Sequence, residues 1–174
     1  MPKQLLPAAR IPQQRALDLL SPESRASYLA QRARGPVMAS VPDQQLKDVF
    51  TREMQFEYAF AKADGLLMAG SDPTGIGGTV PGFANQREVE LLVEAGFTPL
   101  EAIHIATYNG AQYLGELDRI GTIEPGKQAD LVVVNGDPSS KITDIEAVEI
   151  VFKDGIGYDP VKLLDSVHGL VGLR

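Results

Sequence analysis

Apolar residues recur in this sequence with three different rhythms, and each rhythm predicts a different kind of element. Up to about residue 64 they fall at helical spacing. Ser21-Pro22-Glu23 predicts a helix running to about Ala33, with Ser21 as its N-cap and Gly35-Pro36 as its stop. Asp43 is placed to cap a longer helix from Gln44 to about Ala63. Its apolar residues Leu46, Val49, Phe50, Met54, Phe56, Tyr58 and Phe60 crowd toward the C-terminal half, and Gly65 is placed as a left-handed terminator. A helical apolar stripe is normally a buried face, so these aromatics are expected in the core rather than around a ligand.

From Gly65 the rhythm changes. Gly65-Leu66-Leu67-Met68-Ala69-Gly70 is apolar without alternation, and Ser71-Asp72-Pro73 closes it. An unbroken short run bounded by turn residues predicts a parallel strand over 65–72, buried on both faces and enclosed by helices. A glycine-rich loop follows, with four glycines from Gly75 to Gly82. That permissiveness suits a loop lining a pocket, and a plain connection is the competing reading. Asn85-Gln86-Arg87-Glu88 is a further capping pattern, opening a helix that buries Leu91, Leu92 and Val93 and ends at Gly96. Thr98-Pro99-Leu100-Glu101 predicts another helix with a capping box, and Asn109 is placed to cap a second short one through Leu114.

The third rhythm is that of short strands. Ala129 to Asn135 reads as one, and Ala147 to Lys153, with partial alternation, as a second. Asp154-Gly155 is a two-residue type I′ turn signal leading back through Ile156 to Tyr158. Asp159-Pro160 then starts a short helix through about Val167.

Candidate chemistry centres on Asp72. A single carboxylate at the carboxyl end of a buried strand can serve as a general base or a metal ligand, and Asp-Pro is equally a turn signal. Two other motifs mislead. Gly121 to Lys127 fits the first seven positions of a phosphate-binding loop, but Gln128 stands where a Ser or Thr is needed and a strand follows instead of a helix. His104 lies within a helix with Tyr108 four residues on, which cannot complete a ligand pair, so a packed or partly exposed side chain is the better reading.

Four pieces in order, Gly-Ser-Asp at 70–72, Thr-Pro-Leu-Glu-Ala-Ile at 98–103, Ala-Thr-Tyr-Asn-Gly-Ala at 106–111 and Gly121-Thr-Ile-Glu-Pro-Gly-Lys-Gln-Ala-Asp-Leu-Val-Val133, closely resemble the C-terminal end of the amidohydrolase superfamily. The resemblance covers about Phe56 to Pro160, points to imidazolonepropionase-like and prolidase-like members, and is specific because all four pieces keep their order and spacing. It implies an α/β fold: the C-terminal part of a distorted TIM-like barrel, with its last strand and flanking helices, plus strands of a small β-sandwich. On that division, residues 1–117 are barrel, mostly helical with the strand at 65–72; residues 118–160 are sandwich strands; and residues 161–174 are a C-terminal helix and tail. The resemblance also implies a metal-dependent hydrolase of carbon–nitrogen bonds in amides, cyclic amides or dipeptide-like substrates. Asp72 would be both its catalytic base and one ligand of a divalent metal, zinc by preference.

The remaining family ligands are histidines and a lysine or glutamate on earlier strands, with a His-x-His pair on the first. This chain has two histidines, His104 and His168, both after Asp72, and no cysteine. A zinc site needs about three or four ligands. A complete barrel also takes ~250 residues, against 174 here. The expectation is therefore a C-terminal segment, inactive alone and holding no cofactor by itself. Its expected partners are a small-molecule substrate and either a second copy or the missing N-terminal part of the barrel. A non-catalytic binding or assembly protein of the same fold, and a fragment without an independent fold, are the competing classes.

Composition narrows this further. The chain is 44% hydrophobic and 22% charged, ordinary for a globular protein, with a net charge of −7 that argues against a nucleic-acid or anionic membrane surface. Without cysteines there are no disulfides or thiolate sites. No stretch reaches the length needed to cross a bilayer and no signal-peptide core is evident at Met1, so a cytoplasmic protein is expected.

Overall fold

The computed structural model describes residues 14–33, 42–72, 80 and 82–172. Helices α1 (Gln14–Leu19), α2 (Pro22–Ala33), α3 (Asp43–Lys62), α4 (Phe83–Ala95) and α5 (Pro99–His104) lead into a five-residue π-type turn, Ile105–Asn109, and into α6 (Gly110–Tyr113). Strand β1 (Leu131–Val134), a 3-10 turn at Ile142–Glu146, β2 (Val148–Lys153), β3 (Ile156–Tyr158) and α7 (Pro160–Ser166) complete the order.

Several ends form as the local chemistry dictates. Ser21 Oγ accepts the Ser24 amide at 3.2 Å at the start of α2. At α5 the capping box is complete: Thr98 Oγ1 accepts the Glu101 amide at 3.3 Å while Glu101 Oε2 accepts the Thr98 amide at 2.7 Å. Asp159 caps α7 by accepting from the amides of Val161 and Lys162. Asp154 and Gly155 both take positive φ, 53° and 78°, as the tight turn between β2 and β3 requires.

Other ends differ from the sequence reading. The left-handed residue after α3 is Asp64 (φ 62°), not Gly65. A side chain at Gly65 is excluded for another reason, since a Cβ there would lie 2.5 Å from the Phe60 ring. Asn85 caps nothing, because α4 already begins at Phe83 behind Gly82. Asn109 is not a cap either: its backbone is right-handed helical and continuous with α6.

Two apolar clusters hold these elements. One joins Ala16, Leu17, Leu20 and Tyr28 to Val80 and Val171. There the chain after α7 returns to the start of α2, with Ser21 N donating to Val171 O at 2.8 Å and Val171 N to Leu19 O at 2.9 Å. The second cluster is built from Val89, Leu92, Phe97, Ala102 and Ile105, with Tyr58, Leu67, Ala69, Ile142 and Ile145 packed around it. Helix α3 meets this core through Tyr58 and Ala61, and its Met54 is buried as well. Phe56 points away and is 70% exposed, and Phe60 is also exposed, so the aromatic stripe is only partly core among the described residues.

The strand expected over 65–72 pairs with no other strand among the described residues. The segment instead alternates. Leu67, Ala69 and Ser71 are half-buried while Leu66, Met68, Gly70 and Asp72 are exposed. Burial on both faces needs elements on both sides, and the described residues cover only one. Similarly, β1, β2 and β3 form one antiparallel sheet in sequence order, with Val132 opposite Val151 and Val151 opposite Tyr158. Three strands make a single sheet, so the expected sandwich has no second layer among the described residues.

Candidate functional site

Asp72 ends the extended segment at φ 35°, a left-handed value uncommon for a residue with a side chain and frequent where backbone strain serves a site. Its side chain is exposed rather than aimed into a closed cavity. The loop expected to cover it lies largely outside the described residues, which resume at Val80 and Gly82.

What fixes the segment is side-chain amides. Asn109 Nδ2 donates to the Leu67 carbonyl at 2.7 Å, across 42 residues of sequence. Ser71 Oγ donates to Asn85 Oδ1 at 2.7 Å, one residue before Asp72. Leu67 and Ala69 meanwhile pack into the core beside Ile105. The π-type turn that presents Asn109 also places Thr107 so that its hydroxyl donates to Ile103 O at 2.7 Å. Sequence reasoning gave both asparagines to capping. The Ala-Thr-Tyr-Asn-Gly-Ala motif contained the signal, but nothing local in it names Leu67 as the partner.

The remaining candidates separate from Asp72. His104 is exposed and stacks on Tyr108, with ring centroids 4.4 Å apart, and His168 is exposed after α7. Lys127 Nζ donates to Thr122 Oγ1 and lies 3.9 Å from Glu124, closing the turn ahead of β1 within itself rather than forming a phosphate cradle. Asp130 accepts from Lys153 at 2.5 Å and from the Asp154 amide at 2.7 Å, and the Lys153 bond holds its carboxyl below the usual range. These bonds tie the residue before β1 to the turn between β2 and β3. Glu90, buried at 2% exposure, lies 2.9 Å from Arg87, which also reaches Glu94 at 2.5 Å. Burial opposes the Arg87 charge, but the carboxylates of Glu94 and Glu90 outweigh it and raise its pKa.

Among the described residues no three His, Cys, Asp or Glu side chains converge in a way that could hold a metal ion. The donors among the described residues do not by themselves fit the metal centre that the resemblance implies. Also among the described residues, no helix is long and apolar enough to cross a membrane.

Comparison with known proteins gives these features a context. A profile described as the Amidohydrolase family matches residues 22–156. The imidazolonepropionase of Phocaeicola vulgatus is 44% identical over 61 residues, 33% of this chain and 15% of that protein. Adenine deaminase 2 of Jannaschia sp. is 32% identical over 83 residues, 47% of this chain and 13% of that protein. The crystal structure of a putative prolidase from Bifidobacterium longum superposes with a TM-score of 0.56 at 29% identity, covering 87% of this chain and 36% of that one. The chain thus spans a minor part of the length of each of these relatives.

Proposed function

The chain belongs to the amidohydrolase family, and from that premise we propose that it is the C-terminal portion of a hydrolase of carbon–nitrogen bonds, with Asp72 as its catalytic carboxylate. The observation that carries the reading is the placement of Asp72. It ends an extended, core-anchored segment, sits on the side left open, and holds a positive φ. In that place a carboxylate can take a proton from an attacking water and deliver it to the departing nitrogen as the carbon–nitrogen bond breaks.

The fold supports the same assignment. An extended segment with one uncovered face, followed by helices and a small antiparallel sheet, is what the end of a TIM-like barrel and part of its flanking sandwich would leave when described without the preceding strands. A divalent metal, zinc by preference, belongs to the complete enzyme, with its other ligands outside this chain. We assign the substrate to the small molecules bearing an amide, a cyclic amide, a dipeptide or an amino-substituted ring.

The reading is tested by the open reading frame upstream of Met1 together with turnover. An in-frame His-x-His pair and later histidines, and release of product from a cyclic amide, a Xaa-Pro dipeptide or adenine by the complete protein, are the expected results. A complete protein that lacks those histidines and turns over none of the three would favour a non-catalytic protein of the same fold. The observation behind that second reading is the exposed placement of both histidines, with His104 stacked on Tyr108.

A further inference from the structure

The Gly65–Asp72 segment poses a problem of register. It makes no ladder hydrogen bonds among the described residues, yet its side chains alternate cleanly between a core-facing and an open side. In extended chain a slip of one residue reverses every side chain. Such a slip would turn Leu66 and Met68 inward and move Asp72 to the core-facing side. Among the described residues, something other than strand pairing holds the register.

We propose that Asn109 is a positioning residue: its side-chain amide locks the register of the Gly65–Asp72 segment and thereby places Asp72 on the open side. The proposal rests on the reading of Asp72 given above. Asn109 Nδ2 reaches the Leu67 carbonyl at 2.7 Å from the last residue of the π-type turn. Such turns add a residue to a helix and change which side chains share a face, and they recur at functional sites. Leu67 is five residues before Asp72, roughly 16 Å of extended chain, so the effect acts through the backbone and not by contact. The bond satisfies a carbonyl that a strand would have given to its neighbour. Ser71 Oγ on Asn85 Oδ1 is the second anchor, next to Asp72 itself. Between the two anchors, Ala69 packs into the core cluster that contains Ile105. Register is thus fixed at three alternate residues, 67, 69 and 71, all on the side opposite Asp72.

The test uses the 174-residue chain and reads placement directly. In Asn109→Ala, exchange of the Leu67 amide, which donates to Gly65 O at 2.9 Å, should rise by up to roughly tenfold, the size of one lost hydrogen bond, with α4 and α5 unchanged. Asn109→Gln keeps the donor and should restore most of the protection. The chain has no cysteine, so a nitroxide on Asp72→Cys reports that position alone. Its spectrum should show greater mobility with Asn109→Ala and recover with Asn109→Gln. Ser71→Ala, on a partly exposed residue that should not endanger folding, should raise the mobility of the label at position 72 and leave the Leu67 amide as protected as in the parent.

Unchanged exchange at the Leu67 amide together with unchanged label mobility, loosening spread equally over the helices, or failure of Asn109→Gln to recover either signal would each overturn the proposal. These readouts do not depend on whether Asp72 reacts. A complete enzyme that keeps its turnover as Asp72→Asn would overturn the chemistry and leave the tether standing.

Discussion

Glu101 shows how much one side chain can join. It closes the capping box of α5 with Thr98, and its other oxygen accepts Lys62 Nζ at 2.5 Å, tying the end of α3 to the start of α5. The Lys62 bond, then those from Thr98, lower its pKa from 4.5 to about 2. A depressed acid contributes stability that is present above its unfolded value and lost as pH falls. The loss should therefore run from about pH 4.5 down toward 2. Glu101→Gln should melt below the parent at pH 7 in thermal denaturation, and the two curves should converge near pH 2. Asp72 calls for a different measurement. In a complete enzyme carrying this segment, Asp72→Asn should reduce kcat by ~10²–10⁴, the usual cost of losing a positioned base, while melting stays near that of the parent. Glu116, paired with Arg119 at 2.5 Å, and Asp118 serve as controls whose amides should leave turnover nearly unchanged. Retained activity with a melting point several degrees lower would make Asp72 a turn residue. At this level the capping box, the Ser21 cap and the Asp154-Gly155 turn were legible because their partners lie within three residues. The duty of Asn109 was not, because its partner lies 42 residues away.

Helices were easier to read than strands, and α3 shows why one face of a helix can still mislead. Spacing located α3 to within about a residue, since helical bonds are local. Which aromatics it buries depends on neighbours, and the described neighbours cover Met54 and Tyr58 but not Phe56. Strand pairing is wholly non-local, so an apolar run at 65–72 could announce an extended chain without telling how many faces are covered. The cleft between α3 and α4 is acidic as well as apolar. A cavity of about 170 Å³ is lined by Phe50, Glu53, Met54, Glu57, Glu88, Leu91 and Leu92. Burial and then Glu53 raise the pKa of Glu57, and burial and then Glu57 raise that of Glu88, with Arg87 opposing. A raised acid is most favourable below its unfolded value of 4.5, and its contribution is lost as pH rises through the folded one. Glu57 also repels Glu53 one turn earlier. Glu57→Gln should accordingly stabilise the chain at pH 7 by about 0.2–0.5 kcal/mol, the usual size of a like-charge pair at that spacing. Denaturant titration at pH 7 and at pH 4 should show the gain at the first and little at the second.

For the molecule as a whole, the surface it leaves uncovered decides how it should behave in solution. Phe56, Phe60, Leu66 and Met68 are exposed along α3 and the extended segment, and Val132, Val133 and Ile156 are exposed on the sheet. The extended segment also carries backbone groups that no described strand pairs. Scattered apolar side chains are normal on a monomer, but apolar side chains beside an unpaired extended edge favour association. The family assignment was legible because it rests on short ordered motifs. What lies over these faces was not, because a short apolar run does not name a partner distant in sequence, and the chain spans 36% of the Bifidobacterium longum prolidase structure it resembles. The purified 174-residue chain should retain no stoichiometric zinc after dialysis, since one carboxylate binds divalent ions too weakly to hold them. Elemental analysis checks this, and one tightly held ion per chain would require ligands beyond Asp72. The same preparation should dimerise, aggregate or bind an apolar dye strongly during size exclusion. Addition of a polypeptide carrying the complementary barrel strands should reverse that behaviour and suppress dye binding. A single sharp monomer peak with a cooperative melt and no dye binding would show that the chain closes its own core, and the assignment of its open faces to a missing part of the barrel would then fall.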